Sequence, residues 1–137
     1  MSEVHYLDLA DYLLIAEAVL ETPAEELALA IRVDLAESAL AAPAAQFGGV
    51  EFYPDFANKV AVLCRRLIKN HALPDGNKRV GFLCAVEFAE RNGYRWTPPP
   101  DDDPEGTESV RVIEGVAAGE LDEQQLAEWV RARLAES

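Results

Sequence analysis

Nine residues, His71-Ala72-Leu73-Pro74-Asp75-Gly76-Asn77-Lys78-Arg79, separate two stretches whose apolar residues recur at helical spacing. This break constrains the fold most, because it makes the flanking stretches consecutive, packed helices. Before it, Asp55 opens a helix with Phe56, Val60, Leu63, Cys64, Leu67 and Ile68 on one face. Lys59, Arg65, Arg66 and Lys69 are expected elsewhere on that helix. After the break, from Asn77 to about Asn92, Val80, Phe82, Leu83, Cys84, Ala85, Val86, Phe88 and Ala89 cover nearly the whole circumference. A helix apolar all round predicts burial at the centre of the fold, and Gly93 suits its C-terminal end.

The remaining pattern is also helical. Asp8 or Asp11 can cap a helix carrying Tyr12, Leu13, Ile15, Ala16, Val19 and Leu20. Thr22-Pro23-Ala24-Glu25 reads as a second start, with Thr22 as the cap and proline at the first helical position. That short helix runs to Ile31, and another follows through Leu35, Ala36, Ala39 and Leu40 to a stop near Pro43. Gly48-Gly49, with Val50, Phe52 and Tyr53 beyond it, predicts a small hairpin flap, the one plausible strand pair. Tyr94-Arg95-Trp96 is a weaker extended stretch, and residues 97–106 form an acidic, proline-rich loop that is solvated rather than calcium-binding. Thr107 and Asp122 are candidate caps for two closing helices, the last of which carries Leu126, Trp129, Val130 and Leu134. The expectation is a single all-α domain over residues 1–137, a compact helical bundle around a central buried helix with a short β-hairpin flap.

Charge narrows the functional classes. The chain carries a formal charge of -13, yet half of its 12 Lys and Arg fall between Lys59 and Arg79 with one acid, Asp75, among them. Such a run can be a solvated helix face, but beside the nonapeptide it predicts a site for an anion. The overall acidity argues against direct nucleic-acid binding. No apolar run approaches membrane-spanning length, and MSEVHYLDLADY lacks the basic-then-apolar order of a secretion signal. Cys64 and Cys84 read as buried free thiols of a reducing, cytoplasmic compartment.

Each residue of the nonapeptide has an ordinary explanation and a chemical one. His71 can cap the helix before it, or serve as a general base with its pKa near neutrality. Asp75 can be a turn residue, or a carboxylate for Mg²⁺ bound between phosphate oxygens. Gly76 lets the chain turn and a ligand approach. Asn77 can be a plain N-cap or an amide donor to phosphate. Lys78 and Arg79 stand at a helix N-terminus, where cations are unfavourable unless something strongly negative is bound. Together they describe a phosphate site.

HALPDGNKR resembles the signature of the Fic/Doc family, roughly His-Pro-Phe-x-(Asp/Glu)-(Gly/Ala)-Asn-(Gly/Lys)-Arg. Lysine at its eighth position, Lys78, resembles the Doc branch, the toxins of death-on-curing toxin–antitoxin pairs. The similarity extends through DLAESALAAPAAQFGG before the flap, ERNGY at the end of the central helix and LDEQQLAEWVRARL in the last helix. The resemblance implies a Fic fold and transfer of a phosphate-containing group from ATP to a protein hydroxyl. It implies His71 as the base, Asp75 as the Mg²⁺ ligand, and Gly76, Asn77, Lys78 and Arg79 as the anion hole. Phe47, Gly48, Gly49, Val50, Phe52 and Tyr53 would be the flap on which a target docks by main-chain pairing.

For the Doc branch, the implied reaction is kinase-type transfer of the terminal phosphate to a threonine of elongation factor Tu. Phe82 stands where typical Fic proteins carry a second arginine, which favours the same reading. The alternatives are a Fic-type AMP transferase and an inactive Fic-fold scaffold. Ala72-Leu73 replaces the usual Pro-Phe, so a smaller anchor holds the loop. No self-inhibitory Ser/Thr-x-x-x-Glu-(Gly/Asn) segment fits: Leu27 spoils the match at Thr22–Glu26, and Ser109 to Glu114-Gly115 is one residue too long. A separate cognate antitoxin is therefore the expected restraint.

Overall fold

The helix Phe56–Asn70, α4, takes the centre of the bundle. In the computed structural model, which describes residues 3–137, the elements run α1 Leu9–Leu20, α2 Ala24–Ala30, α3 Val33–Ala41, a 3-10 turn Ala42–Ala44, β1 Gln46–Phe47, β2 Val50–Glu51, α4 Phe56–Asn70, α5 Asn77–Arg91, β3 Tyr94–Trp96, α6 Thr107–Ala117, α7 Glu123–Arg133 and β4 Leu134–Glu136. Met1 and Ser2, the start of the expected domain and of the expected signal-free amino terminus, lie outside the described residues. Helix α4 packs against α3, α5, α6 and α7, and Val60, Ala61, Val62, Leu63 and Cys64 form a continuous buried run along it. The expectation that α5 would be the innermost helix is corrected: its Leu83 is 40% exposed, and Phe82 and Val86 are half-buried. Apolar content alone does not rank two packed helices, because the number of neighbours around each is a tertiary property. The two cross closely at Gly81, where a Cβ would stand 2.9 Å from the Ile68 side chain and 3.4 Å from the Cys64 carbonyl oxygen.

Local capping explains where most helices begin. Asp8 and Asp11 form a reciprocal box on α1, with bonds of 2.8 and 3.0 Å, and Asp122 and Gln125 repeat it on α7. Thr22 does not cap α2. Its hydroxyl donates back to the Leu20 carbonyl, and the Ala24 N–H finds the Glu17 carboxylate at 2.8 Å instead. Thr107 is likewise not the cap of α6. Asp103 accepts from the Thr107 N–H and hydroxyl, and Asp102 accepts from the Glu108 N–H, so the acidic loop serves as the cap. Asp55 precedes α4 as expected, but its carboxylate pairs with Arg131 of α7.

The flap is a two-residue hairpin turn with Gly48 and Gly49 both at positive φ, +59° and +80°, pairing Gln46 with Glu51 and Phe47 with Val50. It is not the only strand pair. Tyr94–Trp96 pairs antiparallel with Leu134–Glu136, so Leu134 belongs to a strand rather than to the last helix. The backbone and hydroxyl of Thr97 both donate to the Arg133 carbonyl, at 2.7 and 2.9 Å, which stops α7 there. Among the described residues no helix is long and apolar enough to cross a membrane.

Candidate functional site

The loop 71–76 is short, and four contacts fix it. His71 ends α4 in the left-handed region, at φ +52° and ψ +50°, a position usually given to glycine or asparagine. The next carbonyl, of Ala72, accepts the Arg32 N–H at 2.8 Å at the start of α3. Ala72 and Leu73 are buried, so leucine fills the anchor position in the core. The Asn77 side chain then closes the loop: its Oδ1 accepts the Leu73 N–H at 3.1 Å and its Nδ2 donates to the Leu73 carbonyl at 2.9 Å. Gly76, at φ +83°, passes so close to α1 that a Cβ would lie 2.4 Å from Leu20 Cδ2.

This scaffold leaves the polar groups outward. His71, Asp75, Lys78 and Arg79 are exposed. Among the described residues none of these four side chains has an ion-pair partner in the protein. The first helical bond of α5 within this turn is from the Val80 N–H to the Gly76 carbonyl, 3.0 Å, so the N–H groups of Asn77, Lys78 and Arg79 have no intrahelical acceptor. Two unpaired cations and three free N–H groups at one helix start can bind an anion such as phosphate. Beside them opens a cavity of about 570 Å³ between α5 and α6, lined by Lys78, Arg79, Phe82, Ser109, Val110, Ile113 and Glu114, with Glu105 and Gly106 at its edge. Its size is that of a small-ligand site.

The basic run of the sequence divides in space. Lys78 and Arg79 belong to the loop, whereas Arg65 faces Glu123 at 3.9 Å and Lys69 donates to the Ala117 carbonyl. Burial and the Glu123 carboxylate push the Tyr53 hydroxyl above its ordinary pKa, against the opposing effect of Arg66. Lys59 is 2% exposed, correcting its expected place off the apolar face. Its ammonium donates to Glu51 Oε1 at 2.7 Å and to the Pro43 carbonyl at 3.1 Å. Burial opposes that charge, and the bond to Glu51, with Tyr6 beside the ammonium, outweighs it, leaving the pKa above the ordinary lysine value. The sequence did carry a signal, since position 59 lies three after Phe56 and four before Leu63, on the apolar stripe.

The flap residues are presented to solvent, with Phe47, Val50 and Phe52 at 81, 69 and 61% exposure and Tyr53 half-buried. Sequence reasoning did not find Leu20, the α6 wall of the cavity or the Lys59–Glu51 pair, all of which depend on contacts between distant segments.

The Fic/DOC family model matches residues 6–89, from before α1 to the last turn of α5. The chain belongs to the Fic/DOC family. It is 43% identical over 61 residues to a curated protein, "Toxin Doc" of Mycolicibacterium smegmatis (strain ATCC 700084 / mc(2)155). That match covers 44% of this chain and 47% of the relative, so it spans about half the length of the curated protein.

Proposed function

We propose that this chain is the Doc-like toxin of a toxin–antitoxin pair, acting in the cytoplasm as a protein phosphotransferase. It moves the terminal phosphate of ATP to a hydroxyl, that of a threonine, on a translation protein such as elongation factor Tu. One observation carries the reading: His71, Asp75 and the unpaired Lys78 and Arg79 surround one helix start that opens onto a cavity of nucleoside size. The partial match to Toxin Doc supports it, as do lysine at position 78 and phenylalanine at position 82 where the AMP-transferring pattern has glycine and arginine.

The base and ribose of ATP lie against Phe82, Val110 and Ile113, and the phosphates lie at Lys78, Arg79 and the free N–H groups of α5. Asp75 is the one carboxylate of the loop. Mg²⁺ would be held there by Asp75, with water and the nucleotide completing its shell. Bound there, the ion would neutralise phosphate charge. A ring nitrogen of His71 takes the proton from the target hydroxyl. The hydroxyl oxygen bonds to the γ-phosphorus as the bond from that phosphorus to the bridging oxygen breaks, and ADP leaves with the electron pair. Lys78 and Arg79 stabilise the charge that spreads over the transferring group. Asn77 shapes the anion hole by fixing Leu73 and presenting its own N–H. The flap edge pairs with an extended target segment, and a cognate antitoxin covers the site from outside.

The test is expression of the chain alone in cells, beside His71→Ala. The expected result is growth arrest with lost protein synthesis for the wild type and normal growth for the variant. Harmless expression of the wild-type chain contradicts the toxin reading.

A further inference from the structure

One buried charge has no part in the chemistry of the loop. Lys59 sits on the apolar face of α4, and its ammonium ties two points together: the Pro43 carbonyl in the 3-10 turn before the flap and the Glu51 carboxylate on β2. The Tyr6 ring closes over it at 5.6 Å. A hairpin with two residues per strand cannot hold its own shape in water. Within it the register rests on two residue pairs, and Phe52 adds one bond from its N–H to the Ala45 carbonyl at 3.0 Å. Yet this hairpin displays Phe47, Val50 and Phe52 to solvent, side chains that would otherwise fold back onto apolar surface.

We infer that the Lys59–Glu51 pair is a clamp that holds the flap in the extended form able to receive the protein substrate, which makes Lys59 a positioning residue for target docking. The inference rests on the proposed docking role of the flap. Its geometry is that of a clamp. An apolar contact would let the hairpin slide, whereas an ammonium with two fixed acceptors ties the second strand of the flap to the turn that leads into it. Because Lys59 is buried, losing the Glu51 carboxylate leaves its charge uncompensated, so the two side chains act as a unit. His71, just past the end of α4, lies twelve positions after Lys59, about 18 Å along the helix axis. A target segment of about five or six extended residues spans that distance, so its hydroxyl can reach His71 while the flanking segment pairs with the flap edge.

Two variants test the clamp, Lys59→Met, which removes the buried charge at similar volume, and Glu51→Gln, which keeps the shape and removes the charge of the carboxylate. Amide hydrogen exchange across residues 46–53 is expected to quicken in both, with α4 and α5 protected as in the wild type. In transfer assays with elongation factor Tu, the acceptor KM is expected to rise about tenfold, the scale of ordering a loose docking segment at binding. The KM for ATP and kcat at saturating acceptor stay near wild type. Unchanged exchange in the hairpin, or a rise in the KM for ATP matching that for the acceptor, overturns the clamp. A wild-type chain that transfers nothing to any acceptor overturns the docking reading itself, and an active wild type with unaffected variants overturns only the clamp.

Discussion

The Asn77 side-chain amide holds both backbone groups of Leu73, accepting its N–H at 3.1 Å and donating to its carbonyl at 2.9 Å. A residue at the first position of α5 thereby fixes the segment that carries His71. Asn77→Ala strands two polar groups of a buried residue, at a cost of about 2–3 kcal/mol. Asn77→Asp keeps the acceptor and loses the donor, so its midpoint in urea is expected between those of wild type and Asn77→Ala. Equal midpoints for all three would remove the amide from the account of the loop.

Gly76 sets a second constraint. Its φ of +83° costs a residue with a Cβ about 1–2 kcal/mol, and that Cβ would also meet Leu20 Cδ2 at 2.4 Å. The tip of Leu20 can swing aside, so the backbone is the larger part of the cost. Gly76→Ala is expected to lose both stability and transfer activity, and Leu20→Ala in the same chain to recover only the smaller share. Full recovery in the double variant would show that the contact, not the left-handed backbone, governs this position.

His71 stands in a conformation that suits glycine better than histidine. The His71→Gly chain should therefore be more stable than His71→Ala by about 1 kcal/mol, with both inactive in transfer. Thermal unfolding of the two proteins measures the difference. Identical stabilities would mean that the backbone at position 71 carries no strain.

The two thiols give the alkaline limb of stability. Burial pushes Cys64 up to about 12 and raises Cys84 as well, whereas an unfolded cysteine ionises near pH ~8.5. Groups with a raised folded pKa contribute fully below the unfolded value, and that contribution is lost as pH rises toward the folded one. Stability is thus expected to fall progressively above about pH 8.5, with Tyr12, also raised by burial, adding to the slope at still higher pH. Cys64→Ala/Cys84→Ala is expected to be less stable at neutral pH but flatter in its alkaline dependence, measured by urea midpoints across that range. Native protein should resist alkylation of both thiols, since the reactive thiolate is suppressed.

Much of this was legible because the decisive patterns are local. The boxes at Asp8 and Asp122 lie within four residues of the helix starts they serve, and the glycine pair at 48–49 contains its own turn. The candidate site was legible as a motif because its residues are contiguous from His71 to Arg79. Thr22 and Thr107 misled because stronger acceptors, Glu17 and Asp103, compete for the same N–H groups or hydroxyls. The placement of α4 at the centre, the strand at Leu134–Glu136 and the clamp on the flap depend on partners far away in sequence. Lys59 shows the limit plainly: its spacing marked the apolar face, while its two oxygen acceptors appear only when the chain is folded.

The most direct measurement uses ATP labelled separately at its α and γ phosphates. Each is incubated with Mg²⁺, the purified chain and elongation factor Tu, with His71→Ala as control. The account predicts label on the acceptor from the γ position only, absent in the variant. Label from the α position would contradict it in favour of AMP transfer, and no label from either, in this mixture and in whole-cell lysate, would leave a Fic fold without the proposed activity.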